Sequence, residues 1–576
     1  MLSFFITMRI LRIVLAALMF VACLAIFLDF TGLMHTWLGW VAQIQFVPAV
    51  LALNVVVLAI LLVMTLVFGR IYCSVICPLG IFQDLFSGLR GKKRKYAFWK
   101  QTQTVRIVRY GFLGLFVVLL AVGVMSIASI IEPYSAFGRM AVSILAPLYD
   151  TLNNVLADIA ATHESYAVYS VDVWLRGTSS LVLAIVTFVG LAAAGVLTGR
   201  GYCNTICPVG TFLGLISKFS LFKIKLNTSK CVGCGKCATK CKAHCIDVKN
   251  KTVDHERCVA CMNCLGACKL NSITYTPSLA NMCLKKSENP ESHAESCDNS
   301  TKPYEENNIN HENIENDKNH AEDHSAETAS ENENNPIENN SAETASKPDH
   351  TMEEAQDTET QETVSSRRQF MTAAATATAG ALLCPALARA QEAEGNLAKV
   401  TRKDMHPRET LIVPPGAGSI PRFKRHCTGC QLCVRACHNK VLRISDDSRL
   451  QFMQPMLSFE RGYCRPTCHD CSTVCPTGAI QPITIEQKSS LQIGRAIWNK
   501  DICLSATKGE HCRACSRACP NGAISFVVST TPSGKKCKVP AVNSERCIGC
   551  GACEYVCPAR PLAAIHVEGN MQHHEI

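Results

Sequence analysis

Apolar and polar segments alternate through the first 200 residues of the chain. Four apolar runs, at residues 10–28, 47–68, 110–131 and 180–198, contain almost no charged side chains. A helix needs about 20 apolar residues to cross the hydrocarbon core of a bilayer, and each run has about that length. Buried core helices are the alternative, but length and low charge favour four membrane-spanning helices.

Basic residues surround these runs unevenly. Arg9 and Arg12 lie at the start of the first run, and a Lys/Arg cluster at residues 90–109 separates the second from the third, whereas residues 31–46 contain neither residue type. Cytoplasmic loops of membrane proteins carry an excess of Lys and Arg. The pattern predicts that the N-terminus, the basic loop and the segment after the fourth run face the cytoplasm.

One motif, G-R-x-Y-C-x-x-I-C-P-x-G-x-F-x-x-L, occurs at residues 69–85 and again at 199–215. Each copy follows an even-numbered run, so the region is predicted to be two tandem repeats of helix, loop, helix and CxxxCP. Parallel repeats of this kind are related by an axis along the membrane normal. They would bring together the four motif cysteines, Cys73, Cys77, Cys203 and Cys207.

These four thiols have two interpretations. A redox or metal site at the membrane face is favoured because thiolates are strong ligands for soft metals and the pair occurs in both repeats. Close packing of small residues beside Gly80 and Gly210 is the alternative. A disulfide is disfavoured in a reducing compartment. Pro78 and Pro208 disfavour helix at the cysteine that precedes each of them.

The middle of the chain has a different composition. Residues 287–362 are rich in Asn, Glu, His, Ser and Thr, and we expect a disordered linker there. Residues 363–391 contain Arg367 and Arg368 before an Ala-rich apolar segment that ends in A-R-A, which matches a twin-arginine export signal. An Ala-rich soluble helix is the alternative, and both cleavage of the segment and its retention as a fifth span stay open.

Cysteine dominates the composition, with 34 residues in a chain of 576. The net charge of +10 does not indicate a nucleic-acid partner, because the basic cluster directly follows an apolar run. Six four-cysteine motifs have the spacing of iron–sulfur ligands. Two of them follow the apolar region and comprise Cys231, Cys234, Cys237 and Cys241, and Cys258, Cys261, Cys264 and Cys268.

In two-cluster ferredoxins the fourth cysteine of each motif binds the other cluster. This rule predicts one 4Fe-4S site at Cys231, Cys234, Cys237 and Cys268, and a second at Cys258, Cys261, Cys264 and Cys241. Lys242 and Lys269 replace the usual proline after the fourth cysteine. Cys245 is an additional thiol that could substitute for Cys241.

Four more motifs follow the export segment. They comprise Cys427, Cys430, Cys433 and Cys437; Cys464, Cys468, Cys471 and Cys475; Cys503, Cys512, Cys515 and Cys519; and Cys547, Cys550, Cys553 and Cys557. The segments PTGAI and PNGAI after Cys475 and Cys519 resemble the strand return of bacterial ferredoxins. Which fourth cysteines are exchanged among these motifs is open at this stage.

Zinc and haem are the alternatives for these motifs. Six grouped motifs favour clusters over zinc. CVRACH and CRPTCH lack the C-x-x-C-H spacing of c-type haem, and the four apolar runs contain no histidine that could ligate b-haem. In the segment EPYSAFGR, at residues 132–139, Tyr134 and Arg139 are candidates to bind a quinone head group, although such residues more often cap a span.

Together these motifs resemble two families. Residues 1–286 resemble NapH, a membrane component of quinol dehydrogenases, and the export segment with four cluster motifs resembles NapG, its exported iron–sulfur partner. The resemblance implies a fusion that oxidises quinol from the membrane pool and passes electrons through six 4Fe-4S clusters to a periplasmic reductase or cytochrome, typically in nitrate respiration. The fusion, the linker and the missing prolines depart from the pattern and leave the acceptor open.

The alternative function is an assembly, metal-reducing or regulatory factor similar to CcoG or NosR, and a third is a structural iron–sulfur scaffold. NosR-like proteins carry a flavin domain before the first span, and CcoG-like proteins lack a four-cluster domain. The predicted fold is an α-helical membrane domain at residues 1–220, an α+β ferredoxin-like domain at 221–286, the linker, the export segment, and a four-cluster ferredoxin-type domain at 392–576. The predicted location is the bacterial inner membrane, with the last domain in the periplasm.

Overall fold

The computed structural model describes residues 2–89, 103–165, 167–268, 270–277, 402–446 and 452–576. The predicted linker at 287–362 and the export segment at 363–391 lie outside the described residues, as does most of the basic loop. Export and disorder of these segments therefore stay predictions.

In the described residues before 220, all regular secondary structure is helical. Its helices are α1 (Leu2–Leu28), α2 (Leu33–Leu38), α3 (Trp40–Gln43), α4 (Phe46–Leu51), α5 (Val55–Phe68), α6 (Tyr72–Val75), α7 (Pro78–Gly88), α8 (Gln103–Val122), α9 (Met125–Ile131), α10 (Pro133–Met140), α11 (Ala146–Thr162), α12 (Thr178–Thr198), α13 (Gly201–Thr205) and α14 (Pro208–Ser217). A π-helical segment, Ala141–Leu145, joins α10 to α11.

Three helices in the described residues are long and apolar enough to cross a membrane, namely Thr7–Leu28, Gln103–Val122 and Thr178–Thr198. The second predicted span, residues 47–68, is not one helix. Leu53 has a φ of 53°, and the Asn54 side chain accepts from the Val57 amide, so that α5 begins there and has only 14 residues. Four full-length spans are therefore not found among the residues that the structure describes.

The third predicted span, residues 110–131, is also interrupted. Gly123 has a φ of 83°, which ends α8, and α9 begins two residues later. Arg425 of the C-terminal region packs against this glycine, where an added Cβ would lie 2.8 Å from its Cγ. The helix break thus coincides with a docking point of the cysteine-rich C-terminal region.

The two cysteine-rich regions are built from short antiparallel pairs and single helical turns. The first contains β1 (Phe222–Leu226), α15 (Lys236–Lys240), β2 (Ile246–Asp247), β3 (Thr252–Val253) and β4 (Ile273–Pro277), with β1 paired to β4 and β2 to β3. The second contains α16 (Ile420–His426), α17 (Leu432–Ala436), β5 (Leu442–Ile444), β6 (Pro455–Leu457), α18 (Asp470–Thr473), α19 (Ile485–Ser490), β7 (Leu491–Trp498), α20 (Leu504–Thr507), α21 (Ala514–Ala518), β8 (Ile524–Thr530), β9 (Lys536–Val542), α22 (Ala552–Val556) and β10 (Ile565–Glu575). In it, β5 pairs with β6, β7 with β10, and β8 with β9.

PNGAI runs directly into β8, as the ferredoxin-like strand return predicts. PTGAI does not lead into a strand. Instead the Gln481 amide, which follows it, donates to the Gly416 carbonyl at 2.9 Å.

The helical region lies between the two cysteine-rich regions. At one end of α12, the Thr198 carbonyl lies 3.2 Å from Nε2 of His244, and at the other end the Ser179 hydroxyl donates to the Asp446 carboxylate. At the C-terminal end of α1, the Leu28 carbonyl accepts from Arg435 at 2.6 Å. The cysteine motifs before residue 278 and those after residue 401 are therefore separated by the length of these helices.

Candidate iron–sulfur and electron-transfer sites

Five cysteines of the first cysteine-rich region line one cavity. Cys241, Cys258, Cys261 and Cys264 are joined there by Cys245. The first four are the group that the exchange rule predicts, and we call them set B. Four thiols around one cavity are what a cubane cluster requires. That set B binds such a cluster stays a prediction.

Cys245 interacts directly with two members of set B. Its Sγ lies 3.4 Å from Sγ of Cys241. The hydrogen bond from Cys245 lowers the pKa of Cys241 to about 6, which favours the thiolate that a metal requires. A hydrogen bond from Cys245 also lowers the pKa of Cys258. The additional thiol therefore faces the predicted ligands rather than packing elsewhere.

The other predicted group, Cys231, Cys234, Cys237 and Cys268, is named set A. Burial raises the pKa of Cys237, and the thiols of Cys268 and Cys231 raise it further. The Cys268 thiol also forms a 3.0 Å hydrogen bond with the Ser272 hydroxyl. Cys268 thus lies beside the first motif although it belongs to the second.

The C-terminal cysteines form four groups, each with its fourth member from a neighbouring motif. They are set C (Cys427, Cys430, Cys433 and Cys475), set D (Cys464, Cys468, Cys471 and Cys437), set E (Cys547, Cys550, Cys553 and Cys519) and set F (Cys503, Cys512, Cys515 and Cys557). Burial raises the pKa of Cys433, and the thiols of Cys427, Cys430 and Cys475 add to the effect. The exchange therefore occurs between the first and second motifs and between the third and fourth, which the spacing alone left open.

The four C-terminal sets follow one another in space. Cys433 of set C interacts electrostatically with Cys471 of set D. The Cys464 amide of set D donates to the Cys550 carbonyl of set E at 2.9 Å. Cys553 of set E in turn interacts with Cys515 of set F. The order C, D, E, F is suited to stepwise electron transfer.

The four CxxxCP cysteines come together inside the helical region, and we call them the CxxxCP set. Cys73 lies in α6 and Cys203 in α13, whereas Cys77 and Cys207 have extended backbone and cap α7 and α14. The Cys77 thiol interacts electrostatically with the other three. All four are buried. Proline at the next position accounts for the extended backbone at Cys77 and Cys207.

The segment EPYSAFGR is a buried helix rather than an exposed loop. The Glu132 carboxylate accepts from the backbone amides of Tyr134 and Ser135 and so caps α10. Tyr134 and Arg139 are each 1% exposed. Within the described residues the Tyr134 hydroxyl and Nη1 of Arg139 have no hydrogen-bond partner. These two candidates therefore lie inside the protein, next to set C, where the Cys430 carbonyl packs on Gly138.

An apolar groove of about 540 Å³ opens between α12 and the C-terminal region. It is lined by Ile130, Thr178, Ser179, Val182, Leu183, Val186, Asp446, Phe452 and Met453. Met453 connects the groove to set C. Its carbonyl oxygen contacts Gly429, which lies between Cys427 and Cys430, and a Cβ added to Gly429 would lie 2.8 Å from that oxygen. Sequence patterns did not indicate this site, since its residues come from distant segments with no common motif.

Comparison with protein families agrees with the cysteine patterns. A family described as 4Fe-4S binding domain matches residues 50–96 and 180–227, and a family described as 4Fe-4S dicluster domain matches residues 426–479 and 510–560. The first two matches contain the CxxxCP motifs. The last two contain C-terminal motifs.

Curated relatives are ferredoxin-type proteins. The ferredoxin-type protein NapF of Escherichia coli K12 is 31% identical over 160 residues, which are 28% of this chain and 87% of NapF. The methylamine utilization ferredoxin-type protein MauM of Methylophilus methylotrophus is 33% identical over 152 residues, which are 26% of this chain and 66% of MauM. No solved structure matches the chain. The chain therefore belongs to the family of ferredoxin-type iron–sulfur proteins that includes NapF, and it is an electron-transfer protein of that type.

Proposed function

We propose that the protein oxidises quinol within the membrane and passes the electrons through 4Fe-4S clusters at sets C to F to a periplasmic reductase, of the nitrate reductase type. The observation that carries the proposal is the apolar groove, which lies directly beside set C. The clusters, when bound, supply one-electron carriers, and the protein positions them.

The groove suits a lipid-soluble ring with polar oxygens. Its apolar wall on α12 includes Val182 and Val186, which are 61% and 63% exposed on a helix long enough to span a membrane. Its polar end contains Asp446 and the hydroxyl of Ser179, which donates to the Asp446 carboxylate. Binding sites of this kind combine an apolar lining with few orienting polar groups.

The residues at the polar end have a chemical role in the proposal. Oxidation of one quinol to quinone releases two electrons and two protons. Asp446 accepts a hydrogen bond from a quinol hydroxyl and receives its proton, which then passes to solvent, and the second proton leaves by the same route. Met453 and Gly429 place set C against the groove, so that the electrons have a short path into the C-terminal region.

The outlet lies at the far end of the ordered sets. Set C packs on the helical region through Cys430 and Gly138, whereas set F follows sets D and E in the order of contacts. We therefore propose that the reductase docks near set F. Arg9 and Arg12, at the opposite end of α1 from this region, support a periplasmic position for sets C to F by the charge rule.

The test is anaerobic mixing of the detergent-purified full-length protein with menaquinol, followed by low-temperature EPR of the clusters. We expect rapid appearance of reduced-cluster signals and formation of menaquinone. Clusters that are present but stay oxidised, while dithionite reduces them, would refute quinol as the donor. That result would favour the assembly or metal-reducing function.

A further inference from the structure

We propose that Cys73, Cys77, Cys203 and Cys207 together hold a further iron–sulfur cluster that the two repeats share, located between set B and set C. It would be additional to the clusters at sets A to F. The inference concerns metal content, and it does not depend on which donor reduces the protein.

The first support is that neither repeat can ligate a cluster alone. Each match to the 4Fe-4S binding family contains only two cysteines, one CxxxCP pair. A cubane cluster held by cysteine needs four thiolates. The structure brings the two pairs together, since the Cys77 thiol interacts electrostatically with Cys73, Cys203 and Cys207.

The second support is a buried positive charge that needs an anion. Arg70 is 0% exposed, and within the described residues no carboxylate lies within ion-pair distance of it. Asp84 and Glu256 pair instead with Arg200 and Arg109. An unpaired buried guanidinium is costly. Nη2 of Arg70 lies 3.8 Å from Sγ of Cys73, so an anionic thiolate centre there would compensate the charge.

The third support is the set of donors that point at the sulfur atoms. Arg200 donates to Sγ of Cys203 at 3.8 Å, and Gln83 Nε2 donates to the same atom at 3.4 Å. The Gly210 amide donates to Sγ of Cys207 at 3.3 Å. Hydrogen bonds to the sulfurs are a usual feature of iron–sulfur sites and tune their reduction potential.

The position of the CxxxCP set gives the cluster a role. Arg70 also donates to the Glu256 carbonyl at 2.8 Å, and Asn204 donates to the Ala243 carbonyl at 3.3 Å, both in the loops that carry set B. On the other side, the Tyr202 hydroxyl donates to the Ile131 carbonyl at 2.7 Å, just before α10. The Cys430 carbonyl of set C packs on the opposite part of α10.

The length of α1 shows how far set B lies from the C-terminal region. Arg12 of α1 contacts the Ser74 carbonyl near the CxxxCP set, and Leu28 contacts Arg435 of the C-terminal region. The 16 residue steps from Arg12 to Leu28 correspond to about 24 Å of helix between the CxxxCP set and that region, and set B lies beyond the CxxxCP set. A cluster at the CxxxCP set would divide the path between set B and set C into two shorter steps, and each step would move one electron.

The experiment is quantification of iron and acid-labile sulfide in the anaerobically purified full-length protein. The variant carries Cys77→Ser and Cys207→Ser, and the control carries Cys23→Ser, a buried cysteine of α1 outside every set. We expect the double variant to lose about four iron and four sulfide per chain, whereas the control keeps the wild-type content. EPR signals of the remaining clusters show that the variant is folded.

Unchanged iron in a folded double variant would overturn the proposal, as would loss of zinc or copper instead of iron. If the double variant fails to accumulate, the iron content of the wild-type protein tests the proposal. Seven clusters require about 28 iron atoms per chain, and six require about 24. A wild-type value near 24 would refute the shared cluster. Because no quinol is used, these outcomes are separate from the failure of menaquinol to reduce the protein.

Discussion

Arg70 and Arg200 each reach from their own repeat to the cysteine of the other. Nη2 of Arg70 donates to the Cys203 carbonyl at 3.1 Å, and Nη1 of Arg200 donates to the Cys73 carbonyl at 2.5 Å. The same reciprocity appears at the glycines, because a Cβ on Gly80 would meet Arg200 and one on Gly210 would meet Arg70, each at 2.7 Å. The arginine of each G-R-x-Y-C-x-x-I-C-P-x-G motif thus packs on the cysteine and glycine of the other copy, so both copies are needed to form the arrangement.

Replacing Arg70 with Met should destabilise this arrangement. The substitution leaves Asn204 and the carbonyls of Cys203 and Glu256 without their donor, at about 1–3 kcal/mol for each unsatisfied group. We expect a loss of roughly 3 kcal/mol or more in the free energy of unfolding, measured by thermal unfolding in detergent. Lys236→Met, at an exposed position of α15, is the control and should have little effect. Equal unfolding temperatures for the two variants would contradict the prediction.

The contact between Asp150 and Arg435 should hold the C-terminal region on the helical region. The two side chains form a bidentate ion pair, with both N–O distances 2.7 Å, and both are buried. Removing one partner of a buried pair costs about 3–5 kcal/mol. We expect Asp150→Asn to increase hydrogen exchange in α17 strongly.

Asp172→Asn is the matched control for that change. Asp172 pairs with Lys440, but its side chain is 58% exposed. An exposed pair contributes about 1 kcal/mol or less, so exchange in α17 should stay near the wild-type rate. Similar exchange in the two variants would show that the buried pair is not what holds the regions together.

Cys245 should substitute for Cys241 when that ligand is removed. Both thiols line the same cavity and their sulfurs are 3.4 Å apart. We expect Cys241→Ser to keep its full iron content with a shifted EPR signal, because the Cys245 sulfur lies only 3.4 Å from the position of the sulfur that is removed. The double variant with Cys245→Ser should lose about four iron per chain, as should Cys261→Ser alone. If Cys241→Ser by itself loses as much iron as the double variant, Cys245 is not an alternative ligand.

Filling the groove should impair use of quinol. Val182→Trp places an indole among the lining residues, whereas Val189→Trp changes the same helix at a position outside the lining. Their wild-type valines are 61% and 59% exposed, so the two substitutions are matched. We expect the first to raise KM for menaquinol about tenfold or more, equivalent to about 1.4 kcal/mol of binding, with dithionite reduction unchanged. Equal KM values in both variants would place the quinol site elsewhere.

His573 should make the C-terminal region less stable in mild acid. Burial lowers its pKa to about 4, with a further contribution from His574. An unfolded histidine binds a proton below a pH of about 6.5, while the native side chain stays neutral until about 4, so stability falls as the pH drops between these values. The loss from pH 7 to pH 5 should be on the order of 2 kcal/mol.

Hydrogen exchange of β10 at the two pH values measures that loss. We expect His573→Gln to reduce the difference in protection between pH 7 and pH 5. His574→Gln, at the adjacent exposed position, should keep most of the wild-type difference, because burial is the larger cause of the lowered pKa of His573. A wild-type pH response in His573→Gln would show that other groups cause it.

Some features of the protein were encoded locally and could be read from the sequence. The cysteine spacings around Cys427 and Cys547 identified iron–sulfur motifs because a tight loop supplies three ligands within ten residues. Pro78 and Pro208 predicted the extended backbone before them, since proline restricts the preceding residue wherever it occurs. Continuous apolar runs predicted long helices: α12 has nearly the expected bounds, and α1 ends where predicted although it begins at Leu2, before the apolar run.

Other features depend on contacts between distant residues, and only the tertiary structure decided them. The partner of each fourth cysteine, such as Cys475 in set C, the packing of Cys430 on α10, and the contact of Arg425 with the helix break at Gly123 all depend on where distant segments dock. The cross-repeat contacts of Arg70 and Arg200 span more than 120 residues. Spacing and hydropathy report the preference of a short segment for one conformation, whereas these contacts depend on which surfaces bury each other when the whole chain folds.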